Sequence, residues 1–393
     1  MNDASVPREV LVERARSLVP LLREHAMETE RRGYLPDAIV EAVQAAGLFD
    51  MFRPRRHGGI EASLRTAVEV QIELGRGCGS TAWVVSQLNG SALFASMFPS
   101  GFREEIFAER VARVASSFLP PSRPSVRRVP GGYVLGGSWP FCTGCRHASW
   151  IGVGAPCAGD GQATRPGWFF LPASQVEMKD DWHVSGLSGT GSSSVTVTDV
   201  FVPEHRVLDA GLVFEEGFVA EGLDGPLYRM PLFAGQLLHA SSCALGMALA
   251  ARSEFESRLR GRAVSYTLYT DRAEAVVTHL QIAEATVKME AARLLLHRSV
   301  DDVEGCAARG EIMRQEGRLR ARMHAAYAAS LCRQAIEILI EGSGGSSLAL
   351  SNPIQRIARD ARALCLHGAY SLQPTLETYG RSLLGLPTNA PIV

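Results

Sequence analysis

The stretch GSWPFCTGCRHASW, Gly137–Trp150, holds a Cys-x-x-Cys pair, Cys142 and Cys145, with His147 two residues further on. A thiol-redox pair of this spacing opens a helix that follows a strand. Here the flanks YVLGGSW (133–139) and SWIGVGA (149–155) are β-branched, aromatic and glycine-rich, so the pair falls between two strands. A structural zinc ion needs four ligands, usually from two such pairs. Only one pair is present, and His147 is too close to Cys145 to serve easily as a third ligand, so no metal is expected. The cysteines read as small, partly buried thiols, which leaves open whether the threonine between them, Thr143, carries the chemistry.

Working outward from that turn, the chain reads as helices, then strands, then helices. LVERARSLVPLLREHAMETERR and PDAIVEAVQAAGLF repeat apolar residues at three and four, and SLRTAVEVQIELGRGCGSTAWVVSQLNGSALFASMF gives two long helices broken around Gly75–Gly79. Helices that are apolar on most faces are buried helices. From Val114 the texture changes to short β-branched or aromatic runs separated by Gly, Pro and Ser: GGYVLGGSW, SWIGVGAP, GWFFLP and SSSVTVTDVFVP. A Gly- and acid-rich linker, DAGLVFEEGFVAEGLDGP, follows. From Pro231 the helical period returns in four long segments, enough for a bundle. These boundaries predict an N-terminal helical domain over 1–113, a middle β domain over 114–213 and a C-terminal four-helix bundle over 214–393, with no internal repeat.

Composition narrows the partners. At 46% hydrophobic and 21% charged residues, the 393-residue chain is a soluble globular protein. A net charge of −1 with no basic stripe argues against nucleic acid and anionic membrane. The polar N-terminus does not read as a signal peptide, and no apolar run is read as a membrane span. Eight scattered cysteines suggest free thiols in a reducing cytoplasm.

Other motifs are less specific by themselves. GLSGTGSSS (186–194) precedes a strand, so it lacks both the dinucleotide and the P-loop signature. It can still present N–H groups and hydroxyls from Gly189, Thr190 and Ser192 to a phosphate or flavin edge. No Gly-x-Ser-x-Gly elbow exists, and none of the ten histidines carries a nucleophile signature. His367, in RDARALCLHGAY, lies late on an amphipathic helix that already carries Arg359 and Asp360, where a lone histidine is usually structural.

Four stretches share a pattern: CGSTAWVVSQL (78–88), GSWPFCTGCRHASW (137–150), DDWHVSGLSGTGSSSVTVTDVFVPEHRV (180–207) and NPIQRIARDAR (352–362). In this order they resemble the acyl-CoA dehydrogenase fold, and more closely the two-component flavin-dependent monooxygenases that share it. The resemblance implies a mainly α fold with a central β-barrel, a homotetramer, and reduced FMN or FAD reacting with O2 to a C4a-hydroperoxide. It also implies a separate NAD(P)H:flavin reductase and a small aromatic or polycyclic substrate. By this likeness Thr143 bonds flavin N5 and Phe141 is the aromatic residue two positions before it. Ser117, Phe118, Gly189, Thr190 and Ser192 belong to the same cofactor face. Arg262, in RLRGR, corresponds to an arginine that reaches a flavin phosphate across a subunit boundary, and Gly344 and Gly345 to a Gly-Gly turn against the cofactor. A glutamine that usually stands three residues before that turn is Glu341 here.

The dehydrogenases need a carboxylate base. Its two possible slots hold Gly368, beside His367, and Gln236, so dehydrogenation is the weaker alternative. A histidine at this turn is what the similar monooxygenases use to face the substrate, which makes His367 and Thr143 the catalytic candidates. Trp83, Asn89 and Ser91 complete the expected substrate contacts. A second histidine that phenol hydroxylases often carry near Ser91 is missing, which opens the pocket to bulkier molecules. N- or S-oxygenation would use the same chemistry.

Overall fold

The computed structural model describes residues 6–119, 121–157, 165–214 and 218–390. Its N-terminal part folds as α1 (Arg8–Glu24), α2 (Ala26–Arg32), α3 (Asp37–Ala45), α4 (Leu64–Gly77), α5 (Gly79–Ser96) and α6 (Ser100–Ile106). Ser63 caps α4 by accepting from Thr66 N–H. The expected break near Gly75–Gly79 is one extended residue, Cys78, between α4 and α5. It turns two apolar helices against each other while leaving both buried.

Among the described residues, the β part holds eight strands in two four-stranded sheets. β1 (Val114–Ser117), β4 (Trp150–Cys157), β5 (Arg165–Pro172) and β8 (Val207–Asp209) form one, in the order β1-β4-β5-β8. β2 (Ser122–Val129), β3 (Gly132–Trp139), β7 (Val195–Pro203) and β6 (Glu177–Met178) form the other, in the order β2-β3-β7-β6. The expectation of a barrel is corrected here, because no ladder among the described residues joins the sheets into a closed ring. They pack face to face instead. Trp139 of β3 is fully buried between them and donates its indole N–H to Gly154 C=O of β4 at 2.6 Å.

The anticipated linker contains a short helix, α7 (Ala210–Phe214), and a second, α8 (Pro226–Arg229), starts at its last residue; its residues 215–217 lie outside the described residues. The bundle that follows has α9 (Leu232–Glu256), α10 (Val276–Ala308), α11 (Gln315–Ser343), α12 (Pro353–Leu366) and α13 (Leu372–Leu383). The fourth long segment expected from the sequence is therefore two helices. His367 is extended (φ −62°, ψ 132°) at the end of α12, and its carbonyl accepts from Tyr370 and Ser371 N–H, which closes a tight corner.

α9 is the central rod. Of the described helices it alone has the length and composition of a membrane span, yet 89% of that window is buried by the protein itself. It touches α4 almost backbone to backbone: a Cβ on Gly246 would sit 2.2 Å from Ile72 O, and one on Gly75 2.5 Å from Cys243 O. The core thus runs from α4 and α5 through α9 into α11 and α12, and the sheets lean on its α5 side.

Candidate active site

Between the sheets and the bundle lies a cavity of about 1690 Å³. Pockets for one small molecule run to roughly 300–1,000 Å³, so this one has room for two ligands side by side. Its walls include α5, the turn joining β3 to β4, the loop before β7 and the end of α12, together with β1, β5 and the start of α9.

The β3–β4 turn is shaped by two left-handed residues, Phe141 (φ 61°) and Gly144 (φ 69°). It is stitched to the glycine-rich loop: Cys142 N–H donates to Ser193 C=O, and Gly144 N–H to Thr190 C=O, at 3.1 and 3.0 Å. Ser117 fixes its other side by donating to Pro140 C=O at 2.6 Å. Cys142 and Cys145 are fully buried free thiols under the turn. Their mutual hydrogen bond and burial push the Cys142 thiol upward, and no metal-binding cluster exists among the described residues. Thr143 is nine-tenths buried and lines the cavity with its hydroxyl 2.7 Å from Ser192 Oγ. Phe141 meets Trp182 edge-on at 5.9 Å.

The partner loop is anchored from α12. Leu187 stands in the left-handed region (φ 51°), and its N–H donates to Asp360 Oδ1 at 2.6 Å. Gly186 allows this approach, since a Cβ there would lie 2.2 Å from Arg359 O. Asp360 is buried, and desolvation pushes its carboxyl up to about 6 against the smaller opposing pull of the Leu187 N–H and Arg356.

His367 lines the opposite wall. Its Nδ1 accepts from Ala369 N–H at 3.2 Å. A neutral imidazole that accepts at Nδ1 carries its proton at Nε2, which leaves an N–H donor for the cavity. More than a third of its surface is accessible, as suits a residue on a cavity wall, but the surrounding protein still holds its pKa below the ordinary value by desolvation. Trp83 and Tyr370 fix the ring, with centroids 5.5 and 5.6 Å away. Further along the cavity, Phe118 stacks on Trp168 at 4.7 Å and Phe94 closes the cluster at 5.0 Å from Trp168.

The lining contains Arg165, Arg322, Arg359 and Arg362 and no acidic residue. Asp209 pairs Arg165, and Glu30 and Ser185 C=O take Arg359. An anion is therefore favoured inside. A flavin fits these features: hydroxyls on one wall, aromatic and apolar faces, and positive charge for a phosphate.

Of the residues expected from sequence, Trp83, Ser117, Phe118, Phe141, Thr143, Thr190, Ser192 and His367 all line this cavity. The structure does not bring the others to it. Asn89 is fully buried on the far side of α5, where its amide donates to Leu48 and Val85 C=O and accepts from Phe52 N–H. Its polar atoms are all engaged in holding the helix, which corrects its assignment as a substrate contact. Ser91 sits one layer back, 2.7 Å from Ser116 Oγ, which does line the cavity. Gly189 faces α2, where a Cβ would meet Thr29 at 2.3 Å, so packing accounts for it. Arg262, Gly344 and Gly345 form a separate corner. Arg272 joins them by donating its N–H to Arg262 C=O and its guanidinium to Gly342 and Ser343 C=O. Sequence reasoning missed Trp182, Tyr370, Trp168 and Arg362 as cavity residues. Trp182 and Arg362, each inside one of the four motifs that carry the resemblance, had a signal.

Residues 9–98 match the model of the acyl-CoA dehydrogenase N-terminal domain, and residues 238–372 that of the acyl-CoA dehydrogenase C-terminal domain. The chain is 34% identical to the flavin-dependent monooxygenase oxygenase subunit HsaA of Mycobacterium tuberculosis H37Rv, over 96% of each chain. It is 32% identical to the oxygenase component of an FADH2-dependent resorcinol hydroxylase from Rhizobium sp. MTP-10005, over 98% of each. Among solved structures, XiaF from Streptomyces sp., in complex with FADH2 and glycerol, superposes with a TM-score of 0.91 at 31% identity, again over 98% of each chain.

Proposed function

Because this chain belongs to the flavin-dependent monooxygenase oxygenase subunits built on acyl-CoA dehydrogenase domains, we propose that it is the oxygenase component of a two-component hydroxylase acting on an aromatic substrate. A separate NAD(P)H:flavin reductase supplies the reduced FMN or FAD. When bound, reduced flavin provides the electrons that let O2 place one oxygen atom on the substrate and release the other as water.

The residues divide that work. Thr143, Phe141 and Trp182 would hold the flavin, with the Thr143 hydroxyl toward N5. His367 donates Nε2–H to a phenolic oxygen, which favours the phenolate and makes the ring more nucleophilic. Because Nδ1 is held by the Ala369 amide, His367 orients and polarises the substrate rather than removing its proton. The Phe94–Phe118–Trp168 cluster keeps that end of the cavity dry, which slows wasteful loss of peroxide. The observation that carries this reading is that one cavity, large enough for two ligands, has the Thr143 hydroxyl on one wall and the His367 N–H donor on another.

Arg262, Gly344 and Gly345 enter through assembly. We place them against the flavin of a neighbouring subunit in a homotetramer. An apolar row on α10 supports such an assembly: Val276, Leu280, Val287 and Leu294 are 58%, 66%, 63% and 70% exposed on one side of the helix. Eight free cysteines fit a cytoplasmic location.

The test is anaerobic titration with reduced FMN and FADH2, followed by O2 in the presence of a panel of phenols. Binding of reduced flavin and a product heavier by one oxygen atom are expected. Bleaching of a tightly held yellow flavin by an acyl-CoA, with no oxygenated product, would overturn the proposal.

A further inference from the structure

Behind Thr143 runs a short line of hydroxyls whose proton direction is fixed by its far end. Thr190 Oγ1 lies 2.8 Å from Leu187 C=O, a group that can only accept. The single hydroxyl proton of Thr190 must therefore point at Leu187. The next contact, Thr190 Oγ1 to Ser192 Oγ at 2.7 Å, then has only one possible donor, Ser192. With the Ser192 proton engaged, the Ser192–Thr143 contact at 2.7 Å must be donated by Thr143. Running the chain the other way would set the oxygens of Thr190 and Leu187 facing each other at 2.8 Å with no proton between them, both buried, which is the costly arrangement.

The anchor is well held. Leu187 C=O also accepts from Trp182 Nε1–H and from Thr190 N–H, both at 3.2 Å, and Asp360 ties down the Leu187 amide. Thr143, Thr190 and Ser192 are all at least nine-tenths buried, so water cannot readily reset the direction. Thr143 has no other polar partner among the described residues, and what it turns to the cavity is a lone pair.

We propose that Thr190 and Ser192 are positioning residues that lock Thr143 as a hydrogen-bond acceptor toward the cavity, so that the site selects flavin by redox state. Reduced flavin carries a proton on N5 and can donate to Thr143. Oxidised flavin has a bare N5, an acceptor, and meets another acceptor. The inference rests on the reading that Thr143 faces N5. It assigns discrimination between the two flavin forms to a pair of residues that do not touch N5 themselves. A component that must collect reduced flavin and let oxidised flavin go gains direction from such a device.

The test is to measure the dissociation constants of oxidised FMN and, under anaerobic conditions, of reduced FMN for the parent protein and for Thr143→Val, Ser192→Ala, Thr190→Val and Thr190→Ser. In Thr190→Val the shape is kept but the acceptor for Ser192 is lost. Ser192 can then donate to Thr143 and free the Thr143 proton for a bare N5. The ratio of oxidised to reduced dissociation constants should fall by about tenfold, the effect of roughly one neutral hydrogen bond. By linkage the midpoint potential of bound flavin drops by about 30 mV. Ser192→Ala should move the ratio the same way, and Thr190→Ser should restore it. If Thr143→Val changes the ratio but Thr190→Val does not, the proposed locking is wrong while the site stands. If Thr143→Val changes neither constant, the placement of Thr143 at N5 fails, and the inference with it.

Discussion

Asp360 offers a quantitative test of how the site is held. Its carboxyl is buried, has no ion-pair partner within 4 Å among the described residues, and accepts Leu187 N–H at 2.6 Å. Desolvation raises its pKa to about 6, from an ordinary value of 3.8. A carboxyl raised on folding contributes stability that is fully present below its unfolded pKa and is lost as pH climbs through the folded one. Here the window runs from about pH 4 to about pH 6. At about 1.36 kcal/mol per unit, the full loss is roughly 3 kcal/mol, of which roughly 1.4 kcal/mol falls between pH 5 and pH 8. Asp360→Asn retains an oxygen for Leu187 N–H but cannot ionise. Urea unfolding of parent and variant at pH 5, 6, 7 and 8, at one protein concentration, gives the difference in stability as a function of pH. Packing offsets shift that difference by a constant, so the slope alone carries the test. The variant should gain on the parent by roughly 1.4 kcal/mol across the range, most of it below pH 7. A flat difference would refute the raised pKa. A difference of opposite sign would mean that Arg356 and Arg359 stabilise the anion more than burial penalises it.

Three other perturbations separate scaffold from chemistry. Gly90→Ala places a Cβ within 2.4–2.5 Å of the Gln236 amide, which must swing away from Ser86 C=O and into the cavity. A loss of about 1–3 kcal/mol in stability and weaker substrate binding are expected, both relieved by adding Gln236→Ala. Asn89→Ala removes three buried hydrogen bonds and should cost about 2–3 kcal/mol in urea unfolding while leaving the KM of the folded protein unchanged; a raised KM would return Asn89 to the substrate site. His367→Ala should keep reduced-flavin affinity but lose product, as followed by mass spectrometry and anaerobic titration. Because desolvation lowers the His367 pKa from its ordinary value, the parent's product yield should fall only at acid pH, when a second proton on Nδ1 breaks the contact with Ala369 N–H that orients the ring.

Which parts of this site could be read from sequence follows from what each signal measures. The Cys142–Cys145 turn was legible because strand texture on both sides is a local property. The split between α12 and α13 was not: Leu366 to Tyr370 contains one glycine and no proline, and the corner depends on the His367 carbonyl collecting two amides. α5 shows the limit of periodicity. Its residues are apolar on nearly every face, so no stripe marks the cavity side. At about 100° per residue, Gln87 and Phe94 fall roughly 40° and 20° from Trp83, and these three line the cavity. Ser91 falls about 80° away, at the flank, and Asn89 about 240° away, facing Leu48 and Phe52. Polarity drew attention to Asn89, but the geometry of the helix decides what it does.

α12 ties the two halves of the site into one rigid piece. Asp360 grips the loop that carries Thr190 and Ser192, and seven residues later the same helix ends at His367. Two turns of helix separate them, about 10 Å along the axis. The distance between the wall that carries Thr143 and the His367 ring is thereby set by a helix rather than by loops. Site geometry held this way does not depend on either ligand being present, as a protein that meets flavin and substrate in sequence requires. It also explains why the buried Asp360 is tolerated at an energetic cost. Its Oδ1 is the contact through which a misplaced α12 would disturb the Leu187 carbonyl, and through it the direction of the Thr143 proton.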